Sequence, residues 1–310
     1  MCKMSSTKRG EEVMDKLNKV IATARKLIDM PYNQFNLDNY TMGLVKFYFN
    51  LDFIPTSEEL PISLMSGNHC YSGILINGNM NNKKRNIYII GKGILFDSGG
   101  LNLKTGRGGS YGMHGDKAGA IIALSVANYL KGNVVAYCPI TTNFIQNSQI
   151  TPGDILKIGN KRVVVNNTDA EGRLILAEAI STLNASKDDI IITVATLTGA
   201  CEYAIDKATG VLTPSDKLAE LFLAASKEEK EYSWRLPLFD YMEKFYKKQS
   251  IKNAEDKIKA GTSEGAMFIK QFVKYPENWL HLDIASSSSK DGKATGIPIK
   301  SLINFIRRLR

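Results

Sequence analysis

The chain has 310 residues, 44% of them hydrophobic, and a formal net charge of +9. That is enough apolar material for one large α/β domain or two smaller ones, and no apolar run approaches the ~20 residues a membrane span needs. The N-terminus, MCKMSSTKRGEEVMDKL, lacks the apolar core of a secretory signal, and the scattered Cys2, Cys70, Cys138 and Cys201 form no CxxC pair, which suits a reducing cytoplasm and argues against a zinc–thiolate site.

A basic segment, residues 1–20, leads into a first helix over 10–30, where Val13, Leu17, Val20, Ile21, Ala24, Leu27 and Ile28 form one stripe that Pro31 ends. A shorter helix is expected over 38–50. Residues 74–86, ILINGNMNNKKRN, read as a polar hairpin or loop before a buried strand, NIYIIGKGILF (86–96), broken by Gly91 and Gly93. A glycine-rich stretch fills 97–120. IIALSVANYL then reads as a buried helix and NVVAYCPI as a strand. DILKIGNKRVVVN (154–166) predicts a hairpin turning at Gly159-Asn160. EGRLILAEAISTL (171–183) predicts a helix and DIIITVATL (189–197) a buried strand. Helices are expected at 214–229, 238–249 and 264–274, a short strand at HLDIA (281–285), and a closing helix at 298–309. Strands alternating with helices predict an α/β domain over 10–310 with a mixed, largely parallel central sheet flanked by helices.

Only three histidines occur, His69, His114 and His281, with no HExxH, so a metal site here must rest mainly on oxygen ligands. The stretch NNTDAEGRLIL (166–176) sets Asp169, Glu171 and Arg173 at alternate positions just before an apolar run. Thr168 or Asp169 as a helix N-cap is the plain reading. It leaves Arg173, which the helix dipole disfavours there, and Gly172, a poor helix former, without a role. Two carboxylates aimed at one spot would instead hold a divalent cation. Asp97 ends a buried strand, which costs desolvation unless a positive partner meets it, or it is a turn residue before Ser-Gly-Gly. Lys92, inside the same apolar run, needs a carboxylate partner or must lose its proton beside metal. Asp116 reads as a cap or a ligand. Lys104 and Arg107 with the glycines of 99–115 could form an anion-binding nest. Asp97, Asp169 with Glu171, and Thr198-Gly199 fall at strand C-terminal ends, where open α/β sheets bind ligands.

These residues carry a resemblance. GKGILFDSGGLNLK, NTDAEGRLILAEA and VATLTGA, in that order, with TPGDIL, LPLF, HLDIA and KATGIPIKSLINF, resemble the leucyl (cytosol) aminopeptidase family from about residue 20 onward, without the family's usual N-terminal domain. The resemblance implies a zinc-peptidase-like three-layer sandwich and two adjacent divalent ions, Mn2+ or Zn2+ before Mg2+. Lys92, Asp97, Asp116, Asp169 and Glu171 match the ligands, with Asp97 and Glu171 bridging and the Asp169 carbonyl adding a bond. Lys104 and Arg173 match the catalytic lysine and arginine, the latter holding a bicarbonate that serves as general base. Leu197 matches a backbone contact to substrate, and Met113, Thr196, Gly199 and Ala285 match positions lining the side-chain pocket. The implied reaction is removal of N-terminal residues, leucine among them, from peptides with a free α-amine, by a cytoplasmic homohexamer. Lys117, beside Asp116, departs from the family pattern, because an extra cation near two dications costs affinity unless it points away.

Two rivals stand beside this reading. Gly261-Thr262-Ser263-Glu264-Gly265 fits the GxSxG pattern of serine hydrolases, although the preceding KNAEDKIKA is too polar for the strand a nucleophile elbow needs. The basic charge also suits an inactive family member that binds nucleic acid, although the lysines are spread through the chain in the manner of a solvated surface.

Overall fold

The computed structural model describes residues 3–36, 46, 48–49, 52–55, 73–78, 85–106, 108–146 and 149–310. Helix α1 (Lys3–Asp29) begins earlier than its apolar stripe. Ala24, Leu27 and Ile28 of that stripe are buried and Leu17 and Ile21 pack part-buried against the same core, whereas Val13 is exposed. The helix expected at 38–50 lies outside the described residues apart from helical positions 46, 48 and 49.

Strands β1 (Asp52–Pro55) and β2 (Gly73–Asn77) follow. The second corrects the hairpin-or-loop expectation for 74–86, because Ile74, Leu75 and Ile76 are buried sheet residues and the polar turn chemistry starts only after them. The run at 86–96 is two strands, β3 (Ile87–Gly91) and β4 (Gly93–Asp97), parted at Lys92. A 3-10 turn at Met113–Lys117 opens α2 (Ala118–Leu130), and β5 runs over Val134–Asn143. The break at Lys92 is where α2 crosses: a methyl group on Gly91 would lie 2.3 Å from the Gly119 carbonyl oxygen, so the two backbones touch only because both residues are glycine.

The hairpin forms as expected, β6 (Ile155–Ile158) and β7 (Lys161–Val164) flanking Gly159-Asn160. Then come α3 (Glu171–Thr182), β8 (Ile190–Ala195), a short α4 (Gly199–Ile205), β9 (Thr209–Leu212), α5 (Asp216–Glu228) and β10 (Ser233–Arg235). The helix expected at 238–249 shrinks to α6 (Asp240–Glu243). Arg162 N–H donates to the Gln249 carbonyl, which draws the chain into β11 (Ser250–Lys252) alongside β7. The chain closes with α7 (Gly261–Lys270), β12 (Trp279–Asp283), the two-residue strands β13 (Ser289–Lys290) and β14 (Lys293–Ala294), and α8 (Ile299–Leu309).

Among the described residues the main sheet runs β1-β2-β5-β3-β8-β12-β9-β10, with β4 against β5. The strands β5, β3, β8 and β12 are mutually parallel, and antiparallel pairs flank them at β2–β5 and β12–β9. The sheet is therefore mixed and largely parallel. Period-two alternation sorts its side chains into two cores. Ile87, Ile89, Ile190 and Ile192 pack under α1, α2, α5 and α8, whereas Tyr88, Ile90, Ile191 and Trp279 pack under α3 and α7. This three-layer arrangement brings the C-terminal ends of β4, β5, β8 and β12 to one edge. No helix among the described residues is long and apolar enough to cross a membrane.

Candidate metal centre and active site

Four segments deliver acids and lysines to that edge. Asp97 is the last residue of β4, Asp116 sits in the 3-10 turn before α2, Asp169 in the loop before α3, and Glu171 at the first position of α3. Oxygens of Asp97, Asp116 and Glu171 lie within 4.8 Å of one another, and all three residues are buried. Lys92, placed by the β3–β4 break, puts Nζ 2.7 Å from Asp116 Oδ2 and 2.8 Å from Glu171 Oε1, and it donates to the Thr196 carbonyl at 2.9 Å. Lys104 Nζ lies 2.8 Å from Asp97 Oδ2 and 2.5 Å from Asp169 Oδ1. The five predicted ligands and the predicted lysine thus converge.

The helix starts at Glu171 as expected, but neither Thr168 nor Asp169 caps it. The residue at the N-cap of α3 is Ala170, with no side-chain cap. Thr168 instead donates its hydroxyl proton to the Gly99 carbonyl and accepts from Asn102 N–H, tying the two acid-bearing loops together. Gly172 is explained by Lys92, whose stem crosses it.

The electrostatics favour a cation. Four carboxylates face two ammonium groups, mostly out of water. Burial, and then repulsion from Asp97, raises the pKa of Glu171 to about 8, against the pull of Lys92. Burial raises Asp116 to about 6, Lys92 opposing and Asp97 adding to it. Asp169 is also raised, by burial. Burial alone would pull the Lys92 ammonium down, yet Asp116, Glu171 and Asp97 together lift it above the usual lysine range. Asp116 Oδ2 and Asp169 Oδ1 are met by an ammonium group alone. A buried all-oxygen cluster short of positive charge fits divalent ions, and the residues present fit the group.

Around the acids sits a scaffold of donors. Asn143, at the end of β5, donates to Asp97 Oδ1 at 2.8 Å and to the Thr168 carbonyl at 3.1 Å. Thr196 Oγ1 donates to Asp116 Oδ1 at 2.6 Å. Past β8, Leu197 N–H and Thr198 Oγ1 donate to the two oxygens of Asp283, at 3.2 and 2.7 Å, and Ala285 N–H also donates to Asp283 at 3.1 Å. Buried Asp283, its pKa raised by burial, therefore fixes three neighbouring positions, of which Leu197 and Ala285 are predicted to meet substrate. Gly199 begins α4, and Met113 begins the 3-10 turn. Asp283 and Asn143 were missed as site residues, although Asp283 gives the signal that singled out Asp97, an acid ending an apolar strand.

Arg173 turns from the acids toward α7. Its Nη1 donates to Glu264 Oε2 and, at 2.8 Å, to the Asn253 carbonyl. The Asn253 side chain accepts from Asn166 N–H and donates to the Asn167 carbonyl, so it braces the acid-bearing loop. Lys117 points away from the acids. Buried, it donates to the carbonyls of Ile28 and Met30 at 2.9 Å and of His114 at 2.5 Å, closing the C-terminal end of α1, and its Nζ lies 5.2 Å from the Phe35 ring centroid. Arg107 of the suggested nest lies outside the described residues. Ser263 is buried in the first turn of α7 after a loop rather than a strand, which is not a nucleophile elbow.

Comparison with known proteins agrees with this geometry. Residues 73–303 match the cytosol aminopeptidase family, catalytic domain. The chain is 39% identical over 238 residues to a probable cytosol aminopeptidase of Synechococcus sp., covering 72% of this chain and 49% of that protein. It is 39% identical over 245 residues to the chloroplastic leucine aminopeptidase 2 of Oryza sativa subsp. japonica, covering 73% and 40%. A probable cytosol aminopeptidase of Buchnera aphidicola is 32% identical over 314 residues, covering 91% and 61%. The chain thus spans about half the length of the curated relatives it matches. In fold it is similar to the bottromycin maturation enzyme BotP, with TM-score 0.83 and 24% identity over 97% of this chain and 71% of that one. On the length and identity of these matches, the chain belongs to the cytosol aminopeptidase family and carries residues of its catalytic domain.

Proposed function

We propose that the protein is a metal-dependent aminopeptidase that removes N-terminal residues from peptides. The observation that carries this reading is the convergence of Asp97, Asp116 and Glu171, buried and within 4.8 Å, with Lys92 and Lys104 as their counter-charges. Asp97, Asp116, Asp169 and Glu171 would hold two divalent ions, manganese or zinc, and Lys92 would join them as a neutral amine once an ion displaces its proton. Such ions supply Lewis acidity and a water of lowered pKa when bound.

The chain's own groups have separate tasks. Lys104, only part-buried, can turn its ammonium from Asp97 and Asp169 toward the carbonyl oxygen of a bound peptide and stabilise the charge that develops there. Asn143 and Thr196 hold the carboxylates in place, so little reorganisation is needed during reaction. Asp283 fixes the Leu197–Thr198 segment and Ala285 as one wall of the side-chain pocket, which Met113 and Gly199 would complete. Arg173, anchored by Glu264 and Asn253, positions the loop that carries Asp169 and Glu171.

The inert-scaffold alternative loses its residue-level support, since Lys117 faces α1 rather than the acids. Assembly as a homo-oligomer, hexameric as in the family, and a cytoplasmic location belong to the same proposal. They rest on family membership and on relatives named cytosol aminopeptidases. Hydrolysis of leucine p-nitroanilide against its N-acetyl derivative, before and after chelation, tests the activity. The expected result is cleavage of the free-amine substrate alone, lost with chelator and restored by manganese or zinc. Chelator-insensitive cleavage, or a protein that cannot be loaded with metal, contradicts it.

A further inference from the structure

The bicarbonate that the family resemblance attaches to Arg173 does not fit this chain. A carboxylate already sits on that guanidinium. Arg173 Nη1 donates to Glu264 Oε2, and both side chains are buried. The other oxygen, Glu264 Oε1, accepts from the Tyr246 hydroxyl at 2.8 Å and from Glu255 N–H at 2.9 Å. Burial and the Glu264 charge raise the Tyr246 pKa, which keeps that hydroxyl a donor. Both oxygens of Glu264 are thus held, on the first turn of α7. Gly265, in the same turn of α7, lies beside the guanidinium. A methyl group on Gly265 would lie 3.3 Å from Arg173 Nη2, 3.0 Å from Leu197 Cδ2 and 3.2 Å from Thr198 Cγ2.

A free anion at Arg173 would therefore bring a second negative charge to a single buried cation, and in a poorly hydrated site that repulsion is barely screened. We infer that Glu264 is a positioning residue that supplies the anion of Arg173 from within the chain, so that the protein neither binds nor needs bicarbonate. The inference rests on the aminopeptidase reading for its kinetic arm and on geometry alone for its binding arm. Removing the Glu264 charge leaves an uncompensated buried guanidinium, which is a vacant anion site.

The test compares the wild-type protein with Glu264→Gln and Glu264→Thr, metal-loaded, in buffer stripped of carbon dioxide and then supplied with bicarbonate. Turnover of leucine p-nitroanilide gives one readout, and calorimetric titration with bicarbonate gives another that needs no activity. The expected result is an unchanged wild-type rate, no wild-type binding heat, and bicarbonate binding by at least one variant with recovery of several-fold in its rate. A wild-type protein that binds bicarbonate or is accelerated by it overturns the inference, and so do folded variants that neither bind nor respond. Should no preparation hydrolyse the anilide, the aminopeptidase reading fails separately and calorimetry on the wild-type protein still decides the occupancy of Arg173. Circular dichroism identifies a variant that has not folded, and the wild-type measurements then decide between the two outcomes.

Discussion

The stem of Lys92 lies across the face of Gly172, so close that a methyl group on the glycine would come within 2.6 Å of Lys92 Cε and 2.8 Å of its Nζ. The sequence anomaly and the site chemistry are thus one fact. Glycine costs roughly 1 kcal/mol in a helix relative to alanine, and it stands in α3 because any side chain would push the Lys92 ammonium off Asp116 and Glu171. Gly172→Ala should therefore gain helix propensity yet lose about a hundredfold in kcat/KM, the scale of an ångström-sized misplacement at a reacting centre. Steady-state kinetics and thermal unfolding of the same variant check both halves.

Metal binding should release protons. Glu171, with a pKa raised to about 8, and Asp116, raised to about 6, hold protons in the metal-free protein that an incoming dication must expel. The sign follows. Apparent affinity falls as pH drops through 8 and falls more steeply below 6, because protonated carboxyls compete with the ion. Titrating manganese into weakly buffered protein should release more acid per ion at pH 7 than at pH 9, read with a pH electrode.

Lys117 joins the turn that carries Asp116 to α1. Burial pulls its pKa down to about 7, with Asp29 and Asp116 pulling up. Lys117→Met keeps the stem but strips hydrogen bonds from the carbonyls of Ile28, Met30 and His114. The expected loss is ~1–3 kcal/mol of stability, the cost of leaving buried acceptors unmade, with metal affinity changed by less than about tenfold (~1.4 kcal/mol). Denaturant unfolding and metal titration of the variant separate the two.

His281 should make the protein acid-labile. Its ring is buried against Trp279, with Nδ1 2.9 Å from the Thr193 hydroxyl, and burial followed by the Arg173 charge lowers its pKa from 6.5 to about 3. Between those values the unfolded chain binds a proton that the folded chain refuses, so stability is lost as pH falls from 6.5 toward 3. The contribution is up to about 1.4 kcal/mol per pH unit. Unfolding free energies of the wild type and His281→Gln, compared across that range, should show the steeper decline in the wild type.

Much of this molecule is legible in the sequence for physical reasons. Strands buried on both faces, such as Ile190–Ala195 and Ile87–Gly91, announce themselves as apolar runs, and acids that end such runs mark the site. The lost helix at 238–249 shows the limit, because its fate is decided by pairing of β11 with β7, a tertiary contact that periodicity cannot see. The pairings of Asp283 and Glu264 are hidden in the sequence for a related reason. Their partners, Thr198 and Arg173, lie 85 and 91 residues away. In the sequence Lys117 is a cation beside the candidate ligand Asp116, and only the position of α1 reveals why it is tolerated.

The central claim, that these acids hold the ions on which peptide cleavage depends, is tested most directly by titrating metal-free protein with manganese while following release of p-nitroaniline from leucine p-nitroanilide. The account predicts no turnover without metal and a rate that saturates at about two equivalents per chain, the occupancy of a paired-ion hydrolytic site. Turnover at full rate without metal, or none after the acids are loaded, would contradict it.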